Sequence, residues 1–285
     1  DGMIVLKVMN ITDTEIHCEV IHGGILTDRK GINIPEVDIQ MEYLSDQDKS
    51  DLVFAAKEGV DYVAASFMRT ADDAKAVRNF LNENGGDDVK IIAKIESTQG
   101  IRNFEEILPL VDGIMIARGD MGVEVDYVFL PGIQKKIITR CVEEGKIVIT
   151  ATQMLESMMN NPIPTRAEIS DVANAVFDGT SAVMLSGESA AGRFPVQAVK
   201  AMAEICEQAE EDYEHLPRVP VGYAMNADDI VNAVSRAADS LAKDVHAKVI
   251  IAVTISGNTA SRMSKYLPSV PIIGSTNNLK VYHQM

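Results

Sequence analysis

The sequence predicts an α/β protein built on a parallel sheet that helices cover. From about residue 35 onward, apolar runs of about four to eight residues alternate with amphipathic stretches of about 10–18 residues. Near-continuous apolar runs are typical of parallel strands buried on both faces. The run centres lie about 23–35 residues apart, the length of one strand–helix unit. The five predicted strands are residues 60–67, 89–95, 113–117, 146–150 and 181–185.

The segments between these runs carry the start signals of helices. We expect an amphipathic helix over residues 46–58 and a second helix that Thr70 caps. Thr165 and Glu168 have the spacing of a capping box, which predicts a helix start there. A long helix is expected to begin at Pro195.

Both ends of the chain depart from this pattern. Partly alternating, β-branched runs at 4–8 and 15–20 predict short strands. The proline-containing stretch 216–222 predicts a linker, and the helix and strand signals after it, with a strand at 248–253, indicate a new strand–helix unit. We therefore divide the chain into a β-rich segment, a parallel-sheet domain and the start of a further α/β domain, at 1–34, 35–217 and 218–285.

The composition argues against several classes of protein. Hydrophobic residues make up 46% of the chain, and 42 acidic against 26 basic residues give a net charge of −16. Such a charge repels nucleic acid and anionic membrane surfaces. No apolar run approaches the ~18 residues of a membrane span, and we find no signal peptide. Three widely spaced cysteines suit reduced thiols, so we expect a cytoplasmic protein.

Polar residues gather where the predicted strands end. That edge of a parallel sheet is where α/β folds build their sites. Lys94 and Glu96 are two residues apart, so their side chains lie on one face of a strand, either in a reactive site or as an ion pair inside a barrel. The residues at the strand ends are Ser66, Lys94, Glu96, Asp120, Thr152 and Ser186.

Glu96 and Asp120 predict a two-carboxylate metal site on neighbouring strands. Carboxylate oxygens without histidine suit Mg²⁺ or Mn²⁺. The five histidines lie elsewhere in the sequence, which disfavours zinc. Gly119 would let backbone N–H groups approach a ligand beside Asp120.

The hydroxyl groups admit two interpretations. Thr152 and Ser186 either belong to the site or cap the helices that follow them. The loop after the strand at 248–253 is either a phosphate-binding loop or a plain capping turn; its residues are Thr254, Ser256, Gly257, Asn258 and Thr259. No Walker or dinucleotide-binding glycine motif is present. Arg118 either faces the substrate or forms a structural salt bridge, and we favour the salt bridge.

At this point the sequence resembles the pyruvate kinase family. The string IIAKIESTQGI at 91–101 is similar to the signature of that family. Further similar strings follow in the same order and spacing, so that the resemblance covers essentially the whole chain: ASF at 65–67, ARGDMG at 117–122, ATQMLESM at 151–158, PTRAE at 164–168 and MLSGE at 184–188.

The resemblance implies transfer of a phosphoryl group from phosphoenolpyruvate to ADP, which gives pyruvate and ATP in glycolysis. It implies that Glu96 and Asp120 hold Mg²⁺ and that Lys94 stabilises the transferring group and the enolate. The N–H groups of Gly119 and Asp120, with the Thr152 hydroxyl, would bind the substrate carboxylate. Thr152 and Ser186 would lie near the proton path to the enolate.

The resemblance also implies an architecture. Residues 35–217 would supply strands 4–8 of an eight-stranded TIM barrel, after the end of a β-rich lid domain at 1–34. Residues 218–285 would open a regulatory C-terminal domain, in which the loop from Thr254 to Thr259 resembles a sugar-phosphate effector site. The family suggests an allosteric homotetramer.

The sequence departs from the family in what it lacks. The barrel would have five of eight strands, and the Asn-Phe-Ser-His segment that supplies the family's K⁺ ligands is absent. We therefore expect a partial chain whose own activity is open. The alternatives are a Mg²⁺-dependent enolate-forming lyase or aldolase on a similar barrel, and a non-catalytic fragment.

Overall fold

A computed structural model describes residues 2, 4–28, 31–35, 37–38, 41–213 and 230–285. Its elements form three sheets. Strands β1 (Val5–Ile11) and β2 (Ile16–His22) make an antiparallel hairpin. A parallel sheet of five follows in chain order, and two further parallel strands lie in the C-terminal part. The five are β3 (Tyr62–Ala65), β4 (Lys90–Ile95), β5 (Gly113–Ala117), β6 (Ile147–Ala151) and β7 (Ala182–Met184), and the last two are β8 (Ile250–Val253) and β9 (Ile272–Ser275).

Helices connect the parallel strands. The predicted capping box of Thr165 and Glu168 begins α7, and the predicted cap Thr70 begins α2, where it forms a capping box with Asp73. The helices are α1 (Asp46–Glu58), α2 (Ala71–Glu83), α3 (Thr98–Arg102), α4 (Phe104–Ile107), α5 (Arg118–Glu124), α6 (Leu130–Glu144), α7 (Arg166–Phe177), α8 (Gly187–Ala190), α9 (Pro195–Tyr213), α10 (Ile230–Asp244), α11 (Asn258–Ser264) and α12 (Leu279–Gln284). Short 3₁₀ turns lie at Leu108–Leu110, Tyr127–Phe129 and Glu156–Met159.

The central sheet is covered on its outer face by helices. Ile91, Ala93 and Ile95 of β4 are buried in the main core with α2 and α6, whereas Ile92 packs on the opposite face with Met115 and Ala151. Lys94 follows Ile92 by two residues on the strand, so its side chain lies on the same face of the sheet as Ile92, the inner face. Burial of each such isoleucine stabilises the fold by about 1.5–3 kcal/mol, so this alternation fixes the register that places Lys94.

The predicted α/β fold with its parallel sheet is confirmed, and the differences lie at the element boundaries. The first sheet strand ends at Ala65, not at residue 67, because the chain turns there to bond with β4. The N–H of Met68 donates to the Lys94 carbonyl at 3.2 Å. The predicted linker 216–222 and the domain boundary at 217 lie outside the described residues.

The C-terminal part docks on the edge of the sheet where the strands begin. Lys280 donates to the carbonyls of Gly59 and Val60 at 2.9 and 2.7 Å, just before β3. Arg262 and Lys265 of the α11 region donate to carbonyls at the end of α6, at 3.1 and 2.8 Å. In the described residues, no helix is long and apolar enough to cross a membrane.

Candidate functional site

The opposite edge, where the strands end, gathers the residues that the sequence singled out. Two of the loops at this edge have unusual backbone geometry: Phe67, Thr152 and Gln153 have φ of 49°, 67° and 55°. Residues other than glycine rarely adopt this left-handed region of the backbone, and they stay in it only where surrounding contacts hold them. The loops after β3 and β6 are therefore held in place by the bonds described below.

Lys94 and Glu96 do form an ion pair. Lys94 Nζ lies 2.9 Å from Glu96 Oε1, and it donates to Ser66 Oγ at 2.8 Å. Glu96 is only 1% exposed, and its Oε2 accepts the N–H of Phe67 at 2.6 Å. Its Oε1 has no hydrogen bond of acceptable geometry. Glu96 Oε1 is thus a buried carboxylate oxygen that contacts Lys94 and retains lone pairs for a further ligand.

Asp120 lies in the first turn of α5, directly after the neighbouring strand β5. It is partly exposed, and within the described residues its carboxylate takes part in no hydrogen bond or ion pair. Glu96 and Asp120 therefore offer carboxylate oxygens at adjacent strand ends. The described residues contain no cluster of three or more His, Cys, Asp or Glu side chains able to hold a metal. Mg²⁺ needs only one or two carboxylates, because it keeps water and substrate oxygens as its other ligands, so this donor set fits Mg²⁺ or Mn²⁺.

Thr152 and Gly119 bond directly to each other. The Gly119 N–H donates to Thr152 Oγ1 at 2.7 Å, and that hydroxyl donates to the Ala151 carbonyl at 2.6 Å. A Cβ on Gly119 would lie 3.4 Å from Thr152 Oγ1, which is an ordinary van der Waals contact. Two of the groups that the resemblance assigned to the substrate carboxylate are therefore in contact with each other.

Arg118 holds the strained loop in place. Its guanidinium donates to the carbonyls of Thr152 at 2.8 Å and Gln153 at 3.1 Å, and it pairs with Asp171 at 2.8 Å. The arginine side chain is mostly buried, and each of these contacts is with another residue of the chain. The interpretation of Arg118 as structural agrees with this geometry.

Ser186 lies at the end of β7 and precedes α8, but its side chain makes no capping bond. Its backbone N–H donates to the carboxylate of Glu188 at 2.8 Å. Sequence reasoning missed Glu188, which is fully buried. The signal that could have found it is a carboxylate directly after Gly187 at a strand end.

Sequence reasoning also missed Tyr43, which supports Lys94 indirectly through Ser66. Tyr43, before α1, donates its hydroxyl to the Ser66 carbonyl at 2.7 Å. Burial raises the pKa of this tyrosine, with the Asp73 and Glu96 carboxylates adding to the effect, so the phenol stays a donor. Ser66, which accepts from Lys94, is therefore fixed by a residue 23 positions away. No pattern in the sequence indicated this contact.

The predicted phosphate loop lies in the C-terminal part. Thr254 follows β8, is buried, and donates its N–H to the Ser275 carbonyl at 2.9 Å. Gly257 has φ of 81° and precedes α11, with no side-chain capping bond. Ser256 lies in this turn, and Asn258 and Thr259 are the first residues of α11. Because the C-terminal part docks where the sheet strands begin, the loop belongs to a different part of the fold from Lys94.

The parallel sheet, its helical cover and the lysine, carboxylate and hydroxyl groups at the carboxyl ends of its strands define part of a β/α-barrel catalytic domain. Comparison with known proteins specifies which one. The family profile "Pyruvate kinase, barrel domain" matches residues 1–199, and "Pyruvate kinase, alpha/beta domain" matches residues 232–285. The chain belongs to the pyruvate kinase family.

Individual relatives agree with this assignment. The chain is 50% identical over 283 residues to a pyruvate kinase of Clostridium perfringens, covering 99% of this chain and 60% of the relative. It is 46% identical over 285 residues to a pyruvate kinase of Clostridium acetobutylicum, covering 100% and 60%. It is 43% identical over 288 residues to one of Geobacillus stearothermophilus, covering 100% and 49%. The chain thus spans 60% or less of the length of these relatives.

Proposed function

We propose that this chain is the part of a pyruvate kinase that carries the metal site and the phosphoryl-transfer lysine. The observation that carries the proposal is the Lys94–Glu96 pair, in which the buried Glu96 Oε1 contacts Lys94 but makes no hydrogen bond, while Asp120 directly follows the neighbouring strand β5. Such a site suits a small, highly anionic substrate bound through a cation. Relatives named pyruvate kinase over the whole chain favour phosphoryl transfer over the lyase hypothesis.

The proposed reaction converts phosphoenolpyruvate, ADP and one proton into pyruvate and ATP. The bond between phosphorus and the enol oxygen breaks, and a bond to an oxygen of the ADP β-phosphate forms. The electron pair left on the enol oxygen becomes the carbonyl of pyruvate as C3 takes up the proton. Charge thus develops on the transferring group and on the enolate oxygen, and Lys94 is the cation placed to stabilise both.

The other residues bind and orient the substrates. Glu96 and Asp120 would hold Mg²⁺ or Mn²⁺, which when bound supplies Lewis-acid stabilisation to phosphate and carboxylate oxygens. The Asp120 N–H, Gly119 and the Thr152 hydroxyl would lie against the substrate carboxylate, and Thr152 and Ser186 near C3. K⁺ is expected from the family, but the residues that we assign to it are not in this sequence.

The remaining proposals concern the whole protein. We propose the division into a lid segment 1–34, a barrel portion 35–217 and the start of a C-terminal domain at 218–285. The loop Thr254, Ser256, Gly257, Asn258 and Thr259 would bind the phosphate of a sugar-phosphate effector. A cytoplasmic, allosteric homotetramer acting in glycolysis is the form that the family suggests.

The test is a coupled assay of ATP formation with phosphoenolpyruvate, ADP, Mg²⁺ and K⁺, run on the 285-residue chain and on the natural polypeptide that contains it. Lys94→Met should lower turnover by at least about 10²–10³-fold. Lys90→Met is the matched control, because Lys90 lies on the same face of β4 at its far end and should leave turnover unchanged. Cleavage of a carbon–carbon bond without ATP would favour the lyase, and no turnover in either polypeptide would contradict the proposal.

A further inference from the structure

The carboxylate of Glu188 joins the two loops that carry the hydroxyl groups of the site. Its Oε1 accepts the N–H of Leu155 at 3.1 Å, in the loop after β6 that also contains Thr152. Its Oε2 accepts the N–H of Ser186 at 2.8 Å, at the end of β7. The side chain is fully buried. Glu188 therefore fixes the backbone of one loop relative to the other.

This arrangement is unusual for a buried acid. Among the described residues, no lysine, arginine or histidine lies within ion-pair distance of Glu188. The nearby core is apolar, with Met154, Leu155 and Met158 fully buried. Burying a carboxylate without a cation is costly, and an apolar side chain of similar size would often stabilise the fold more. Against this cost, the carboxylate of Glu188 accepts a backbone N–H from each loop, those of Leu155 and Ser186.

The loop after β6 depends on contacts from two sides. Thr152 and Gln153 are consecutive residues in the left-handed region, a backbone state that relaxes unless contacts hold it. Arg118 bonds the carbonyls of both residues, and Glu188 bonds the N–H of Leu155 just beyond them. On the other loop, a Cβ on Gly187 would lie 2.8 Å from Met159 Sδ, so the two loops pack closely. Glu188 accepts a backbone N–H from each of the two loops, and the N–H of Arg193 adds a bond to the Met159 carbonyl at 2.9 Å.

We propose that Glu188 is a positioning residue for the protonation of the enolate, because it sets the spacing between the hydroxyls of Thr152 and Ser186. The inference rests on the proposed function. In that step C3 takes a proton from a hydroxyl or from water that the hydroxyls hold, the C=C electron pair forms the new C–H bond, and the oxygen electron pair forms the carbonyl. The donor regains its proton from solvent. Small displacements of such groups reduce rates strongly.

The test uses Glu188→Gln in the natural polypeptide that contains this chain. The amide keeps one acceptor and replaces the other with an NH₂ group that cannot accept a backbone N–H. Exchange of the pyruvate methyl protons with deuterated water, followed by NMR in the presence of Mg²⁺, reports proton transfer at C3. We expect Glu188→Gln to slow this exchange about 10–100-fold, with a KM for phosphoenolpyruvate within about threefold of wild type.

Glu168→Gln is the matched control. Glu168 is also a carboxylate that accepts two backbone N–H groups, those of Ser157 and Thr165, but it does not contact Leu155 or Ser186. The Glu168→Gln variant should leave the exchange of the pyruvate methyl protons unchanged. Equal rates in wild type and folded Glu188→Gln would overturn the positioning role. If Glu188→Gln does not fold, Glu188→Asp, which keeps the charge but shortens the reach, takes its place under the same criterion.

Amide exchange separates this inference from the proposed function. Glu188→Gln should raise hydrogen exchange at Leu155 or Ser186 above that of neighbouring amides, whatever reaction the protein catalyses. Unchanged protection at both positions would overturn the link between the loops. A wild-type protein that forms no ATP would contradict the proposed function, while the amide measurement would still decide whether Glu188 holds the loops together.

Discussion

Replacement of Glu168 by glutamine should lower the free energy of unfolding by about 1–2 kcal/mol at pH 7. The carboxylate accepts four bonds: from the N–H and hydroxyl of Ser157 at 2.7 and 2.6 Å, and from the N–H and hydroxyl of Thr165 at 2.8 and 2.9 Å. The hydroxyls can rotate to accept from the new amide. The single remaining oxygen, however, can serve only one of the two N–H groups, which point at different oxygens of the carboxylate.

The magnitude follows from that lost bond. Loss of the charged acceptor of a backbone N–H costs about 1–3 kcal/mol. Because Glu168 is partly exposed, water can replace part of the lost hydrogen bonding.

The effect of Glu168→Gln on stability has a defined pH dependence. Burial alone would raise the pKa of Glu168, but the bonds from Ser157 and Thr165 outweigh it and lower the pKa below its ordinary value. A carboxylate with a lowered folded pKa stabilises the protein above its unfolded pKa of about 4.3 and loses that contribution as the pH falls through the folded value.

Urea unfolding followed by circular dichroism at pH 7 and near pH 3 measures both quantities. The difference between wild type and Glu168→Gln should be largest at pH 7 and should shrink on acidification. Glu207→Gln, at an exposed position of α9, is the control and should change stability by less than about 0.5 kcal/mol. A Glu168→Gln deficit that is the same at both pH values would refute the reasoning.

Three further predictions concern packing and docking. Gly113→Ala should destabilise the sheet by about 1–3 kcal/mol in urea unfolding, because its Cβ would lie 2.6 Å from Ile92 Cδ1 and 2.9 Å from the Ile147 carbonyl. Burial raises the pKa of Cys141 to about 12, so at pH 8 a thiol reagent should label exposed Cys18 first and Cys141 only after unfolding, as read by mass spectrometry. Lys280→Met should increase amide exchange of the C-terminal helices, because it removes the two bonds to the carbonyls before β3.

Much of the fold could be predicted because its signals are local. Thr70 and Thr165 carry the capping boxes that begin α2 and α7, and Pro195 begins α9, as the residue types indicated. The apolar runs predicted the five strands, of which β4 and β5 are largely buried on both faces and the edge strands β3 and β7 are partly exposed. Their ends were less accurate, because Phe67 leaves the sheet to bond with Glu96, a contact 29 residues away that no local pattern specifies.

The site residues could be predicted as a set but not in their contacts. Parallel strands bring their carboxyl ends together, which is enough to place Lys94, Glu96 and Asp120 at one edge. The positive φ angles of Thr152 and Gln153 could not be predicted from their residue types. These residues hold that backbone conformation through the bonds that Arg118 donates to their carbonyls. Tyr43 and Glu188 act through backbone atoms of other loops, so their roles depend on the folded arrangement.

The charge of the site gives the metal a specific part in the proposed function. The protein carries a net charge of −16, and the site itself adds two carboxylates against one lysine. Without a cation, Glu96 and Asp120 together outweigh Lys94 and repel an anionic substrate; with a divalent cation, the same site becomes net positive. Specific binding of phosphoenolpyruvate should therefore depend on Mg²⁺ or Mn²⁺ even when no turnover occurs. The buried Glu96 Oε1 is consistent with that dependence, because it contacts Lys94 without a hydrogen bond and keeps lone pairs that a cation could use.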